Sequence, residues 1–198
     1  MRSPTLPPAS PAAPPAPRLL DERTRPDFRD VYAREAAVAE RLDTALTRIR
    51  LSAMDLGAAE LGGLRRIRGL LAEMNALGLT AEAETLAGDR ARRGRLRFLL
   101  ERLGKGTLQV RLAPLAGWAP DFSVFHPAGE GDPVLLVGPH RLERPYPHPG
   151  PAFASLHRGP DAVRAGRRFD EIWERAHDLR GPLVRILGRV VDAGEAGG

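Results

Sequence analysis

Residues 107–140 read TLQVRLAPLAGWAPDFSVFHPAGEGDPVLLVGPH. Three short apolar runs, TLQVRLAPL, DFSVF and PVLLVG, are separated by GWAP and HPAGEGD, both dense in turn formers. Runs this short, bounded by Gly, Pro and Asp, predict strands joined as a meander or a strand-loop-strand arrangement. A proline-rich loop, RPYPHPGP (144–151), follows. Beyond it, residues 161–176 and 181–191 predict two closing helices, the first with Val163, Phe169, Ile172, Trp173 and Ala176 as its apolar stripe.

Toward the N-terminus the pattern becomes helical. Asp27 is placed to cap a helix on which Phe28, Val31, Tyr32, Ala36, Ala39, Leu42, Ala45 and Leu46 keep helical spacing. In TRIRLSAMDL, Ile49, Leu51 and Ala53 alternate with Arg48, Arg50 and Ser52, which predicts a strand from Arg48 to Leu56. Leu61, Leu64, Ile67, Leu71, Met74 and Leu77 then predict a helix from Glu60 to Leu77 with Gly78 as its C-cap. Residues 80–103 predict one or two further helices, broken near Gly88 or Gly94 and ended by Gly104 and Gly106. The expected class is α/β, one sheet with packed helices.

A chain of 198 residues is about one domain long and buries roughly 70% of its unfolded surface around one core. Residues 1–25 hold Pro4, Pro7, Pro8, Pro11, Pro14, Pro15 and Pro17 without apolar periodicity, and predict a disordered proline-rich tail. A single α/β domain is expected over residues 26–192 and a flexible end over 193–198. The prolines leave no signal-like apolar run, and no stretch approaches the roughly 20 apolar residues that cross a bilayer. With no cysteine, disulfides, thiolate metal sites and a cysteine nucleophile are excluded. A cytoplasmic location is expected.

The formal net charge is +5, and Lys105 is the single lysine among 30 basic residues. Arginine in place of lysine, with abundant Ala, Gly and Pro, is the composition a GC-rich bacterial genome produces. The guanidinium fork also suits phosphate, so DNA or RNA stays open as a partner. In GDRARRGRLR, Arg90, Arg93 and Arg97 share one helix face and are the candidate nucleic-acid contacts. Glu82, Glu84, Asp89 and Glu101 flank them, and a solvated face with i, i+4 pairs has the same composition.

The order of strand TRIRLSAMDL, helix, later helix, strands LQVRLAP, DFSVF and PVLLVGPH, and a helix reading RRFDEIWERAHDL resembles one half of the phospholipase D-like superfamily, over about residues 27–190. In that family a strand carries histidine and lysine, a turn supplies an aspartate, the next strand ends in glycine-serine, and the closing helix often reads F-x-x-x-W. Phe169 and Trp173 keep that last spacing. DFSVF lacks the histidine-x-lysine pair, Pro139 follows Gly138 where serine is expected, and no lysine follows Lys105. Chemistry of that type needs a histidine nucleophile and a lysine clamping the phosphate oxygens. The resemblance therefore implies no catalytic residues and a binding or regulatory role, as in sugar-sensing or DNA-binding relatives. It also implies a homodimer, because these domains pack in pairs.

The rival reading is a phosphodiesterase or nuclease working through loop histidines, with His126 and His140 as pocket candidates. His126, His140, His148 and His157 are spaced 14, 8 and 9 apart and match no zinc pattern, so neither a metal nor a cofactor is expected. LGKGT (103–107) lacks the spacing of a phosphate loop. Ser123 and Ser155 have no evident base beside them in sequence. A third role, docking through the proline-rich tail, needs only residues 1–25.

Overall fold

A computed structural model describes residues 16–21, 28–48, 61–74, 76–87, 90–114, 121–138 and 153–196. Eight strands form one sheet: β1 (Arg18–Asp21), β2 (Ala39–Arg48), β3 (Arg66–Glu73), β4 (Leu108–Leu112), β5 (Phe122–Pro127), β6 (Val134–Val137), β7 (Phe153–Arg158) and β8 (His177–Asp178). Their order across the sheet is β1-β7-β6-β5-β2-β3-β4-β8. The described helices are α1 (Phe28–Val38), α2 (Ala76–Ala87), α3 (Arg90–Lys105), α4 (Pro160–Trp173) and α5 (Arg180–Ala196). Strands β2, β3 and β4 run parallel, whereas β5, β6 and β7 form an antiparallel meander joined to β2. The expected α/β class and the three strands of residues 107–138 are present.

Helices α1, α2, α3 and α5 cover one face, where Leu42, Ile67, Leu71, Val110, Phe125 and Leu136 build the main core. Tyr32 packs there edge-on to Phe125, with ring centroids 5.1 Å apart. Among the described residues, helix α4 covers the other face, where Ala45, Leu70 and Ala113 meet Phe169, Ile172 and Trp173. A smaller apolar group, Val124, Leu135 and Ala162, lies beside them on that face.

Two helix expectations fail, for one reason. Residues 39–46, read as the second half of a helix, are strand β2, and residues 66–73, read as mid-helix, are strand β3. Both are central strands buried on both faces, so apolar residues fall on either side and imitate helical spacing. Gly78 accordingly sits inside α2 and not at a C-cap. The strand expected over 48–56 begins where β2 ends, and residues 49–60 lie outside the described part.

Residues 80–103 do form two helices, and the second is ended by Gly106 at φ 71°. On α4 the buried stripe is Ala162, Gly166, Phe169, Ile172 and Trp173. Val163, expected on that stripe, is exposed. Residues 18–21, assigned above to the tail, pair with β7 as β1. Their partner lies some 130 residues away in sequence, so no local signal marks them. At the other end, α5 runs to Ala196, beyond the expected limit of the ordered domain.

Candidate functional site

The α4 face carries a strip of ionisable side chains across four adjacent strands. Asp43 and Arg41 rise from β2, Arg68 from β3, Arg111 from β4 and His126 from β5, all on the side facing α4. Asp43 is fully buried. It accepts two hydrogen bonds from Arg68, Nε to Oδ1 at 2.7 Å and Nη2 to Oδ2 at 2.6 Å. Arg68 also donates to Asp170 Oδ1 of α4 at 2.6 Å, so the one guanidinium ties β2, β3 and α4 together.

Aromatic rings surround this centre. The Arg68 guanidinium lies 5.0 Å from the Phe169 ring centroid and 5.3 Å from that of Trp173. Arg111 sits 4.5 Å from the Trp173 ring and donates to the Trp173 carbonyl at 2.7 Å. Phe169 and Trp173 themselves stack at 5.7 Å. The F-x-x-x-W spacing thus places two rings one helical turn apart, where each can shield Arg68 from water and accept its positive charge on a π face.

His126 closes the strip on the β5 side. Its Nε2 lies 2.8 Å from Asp43 Oδ2, and Arg41 Nη2 lies 3.2 Å from its Nδ1 and 3.1 Å from its Nε2. Asp43 can only accept, so Nε2–H donates to it, while Arg41 Nη2, nearly equidistant from the two ring nitrogens, lies over the face of the imidazole. Arg41 Nε is also 3.2 Å from Asp43 Oδ2. A Cβ on Gly166 would stand 3.4 Å from His126 Cε1, so α4 passes the imidazole at this glycine with room for nothing larger than a methyl group.

Burial alone would raise the Asp43 carboxyl. The hydrogen bonds from Arg68 and His126, with the charges of Arg68 and Arg41, hold it below the usual carboxylate range. Burial would likewise lower Arg68, and its bonds to Asp43 and Asp170 leave it raised. The strip is a charge-compensated network in which Asp43 has no free oxygen.

Of the residues singled out in the sequence, His126 belongs to this strip and His140 lies outside the described residues. Strand β5 extends beyond DFSVF to include His126, and Ala128 stands two positions further on. Arg90, Arg93 and Arg97 belong to α3, which packs on the opposite face of the sheet from Arg68. Arg93 Nε donates to the Ala87 carbonyl at 2.9 Å, anchoring α3 to the end of α2. Arg97 is exposed. Arg65 and Arg66 bond to Glu40 and Gln109.

Ser155 does have a base beside it: His157 Nε2 lies 2.8 Å from its Oγ, two residues along β7 on the same side of the strand. His157 Nδ1 is 3.9 Å from Asp161 Oδ2, too long for the hydrogen bond that would orient the ring. That pair was invisible in the sequence because β7 itself went unread. Asp43, Arg68 and Arg111 were missed for a related reason. The one available signal was the alternation in RIRGLL, where Arg66, Arg68 and Leu70 fall on one side of a strand and Ile67, Gly69 and Leu71 on the other.

Among the described residues no group of three His, Asp or Glu side chains could hold a metal ion, and no helix is long and apolar enough to cross a membrane.

No protein-family model and no curated protein matches the sequence. Solved structures similar to it include Nuc of Salmonella typhimurium, a phospholipase D family member, with 11% identity and a TM-score of 0.48 over 82% of this chain and 98% of that one. NucT from Helicobacter pylori matches with 9% identity and a TM-score of 0.46 over 82% and 98%. TrmBL2, an archaeal chromatin protein, matches with 12% identity and a TM-score of 0.45 over 81% of this chain and 53% of its own.

Proposed function

We propose that this domain is a non-hydrolytic, phospholipase D-like binding module whose ligand is nucleic acid. The observation that carries the non-hydrolytic part is the commitment of the cation nearest the His126–Asp43 pair: Arg68 is held by both Asp43 and Asp170, and the residue two positions after the histidine is Ala128. A histidine attacking phosphorus needs a free nitrogen lone pair, and a cation held beside it to gather the phosphate oxygens. Here Arg68 is spent on Asp43 and Asp170, Arg41 is drawn to Asp43, and Ala128 offers no charge. The arginine-rich, net-positive chain supports a polyanionic ligand, with the α3 arginines as its contacts. A homodimer goes with the resemblance, and light scattering at micromolar concentration tests it.

One observation favours a second reading, a phosphodiesterase. The Asp43–His126 pair has the spacing of an oriented base, and Arg41 is the part-exposed member that a substrate phosphate could draw aside. The two readings separate in one experiment. Fluorescence anisotropy of labelled single- and double-stranded DNA, at low and physiological salt, is paired with hydrolysis of bis-p-nitrophenyl phosphate with and without chelator. The module reading expects salt-steep binding that weakens in an Arg90→Ala, Arg93→Ala, Arg97→Ala variant, with no hydrolysis above buffer. Hydrolysis abolished by His126→Ala establishes the enzyme reading, and absence of binding even at low salt removes nucleic acid as the ligand.

A further inference from the structure

The sheet has a second charged locus, far from the strip and on the opposite face. Where β1 pairs with β7 and α1 packs across them, Ala16, Arg18, Arg34, Glu35, Leu156 and Arg158 line a cleft of roughly 300 Å³. Glu35 is buried, with its side chain 7% exposed. Its Oε1 accepts from Arg158 Nη2 at 3.1 Å and lies 3.9 Å from Arg34 Nε. Arg18 is opposite Leu156 in the β1–β7 register, which puts it on the same side of the sheet as Arg158.

Two guanidiniums, of Arg158 and Arg34, therefore face the Glu35 carboxylate while Arg18 lines the same cleft, which carries a net charge of two positive units. Each guanidinium has five N–H donors, of which Glu35 takes few, and the side chains of Arg34 and Arg158 remain 56% and 49% exposed. Holding like charges together costs free energy that a bound dianion would recover, and the planar forks match phosphate oxygens in bidentate fashion. Glu35 fixes the forks from behind. Leu156 and Ala16 provide an apolar wall of the kind that flanks the polar groups of a small-molecule site. The volume is at the lower limit of such sites, enough for a phosphate with a small attached group and far too little for a duplex.

We infer that the cleft between α1 and the β1–β7 edge is a binding site for a phosphate monoester dianion. This does not rest on the nucleic-acid reading, since it uses none of the α3 arginines. Two sources share the chemistry, a free mononucleotide and the phosphorylated end of a strand.

The test is calorimetric titration of the full chain with inorganic phosphate, with adenosine monophosphate, and with a short oligonucleotide bearing a 5′-phosphate or a 5′-hydroxyl, in chloride buffer of matched ionic strength. All phosphate-bearing probes are expected to bind, and Arg34→Gln or Arg158→Gln to weaken them about tenfold each, the loss of one charge-assisted contact. Arg158→Gln also unpairs Glu35, so Arg18→Gln serves as the variant that leaves the fold untouched and is expected to weaken binding as well. Tighter binding of adenosine monophosphate than of the phosphorylated strand identifies a mononucleotide as the source, and the reverse identifies a strand end. Equal binding of the 5′-phosphate and 5′-hydroxyl strands overturns the strand end as a source, and absence of heat with phosphate and adenosine monophosphate, or wild-type affinity in all three variants, overturns the site.

Discussion

On one face of the sheet Leu42, Ile67, Leu71, Phe125 and Leu136 meet four helices, and stability there is spread over many small apolar contacts. On the other face α4 covers Asp43, Arg68 and His126, set among Ala45, Leu70, Phe169 and Trp173. Losing a methylene from the first face costs transfer and cavity energy in proportion to the atoms removed. Losing one partner from the second strands a buried charge, and the remaining members have nowhere to go. The first face degrades gradually and the second fails at once.

The sharpest way to break this contrast is Asp43→Ala. With Arg68 left to Asp170 alone and Arg41 and His126 deprived of their shared partner, the domain should lose about 3–5 kcal/mol, read by urea denaturation. The paired change Asp43→Leu with Arg68→Met should recover most of that loss, because a buried pair replaced together by apolar groups is often neutral. If the double variant is as unstable as the single one, the strip contributes packing as well as charge.

Acid and alkali should find different faces. Asp43 is held below its ordinary range, so its contribution is present above the unfolded carboxylate value of about 4 and is lost as pH falls through the lower folded one. Denaturation midpoints of the wild type should drop as pH falls below about 4, with a flatter profile in Asp43→Asn. Tyr32, in the apolar core, has its hydroxyl pushed up to about 12 by burial. Its contribution is complete below the unfolded value of about 10 and is lost as pH rises toward 12, so Tyr32→Phe should flatten the alkaline limb and leave the acid limb unchanged. At the small end, Ile67→Val on the apolar face should cost about 0.5–1.5 kcal/mol. Leu77→Ser, at a side chain that is 86% exposed, should stay within about 0.5 kcal/mol.

What could be read in the sequence follows the same division. The strands of residues 107–138 and the stripe of α4 were legible because each is punctuated by glycine or proline, or has one buried and one wet face. Strands β2 and β3 were not, because burial on both faces sets apolar residues on either side and leaves only the short alternation in RIRGLL to betray a strand. The candidate site inherits that blindness. His126 could be picked out as a loop histidine, whereas Asp43 and Arg68 are ordinary members of LDTAL and RIRGL until the parallel register sets them side by side. Phe169 and Trp173 were found by their spacing, and only the fold shows that they shelter a guanidinium.

The two margins of the sheet are unequal. At one, β8 is two residues long and offers almost no backbone for another chain to join. At the other, β7 would present six residues of unpaired donors and acceptors were it not for β1, four residues that reach back and occupy them. Strand β1 is therefore a guard against edge-to-edge aggregation. Removing residues 1–21 should leave the core intact while turning β7 into a template on which copies of the protein stack.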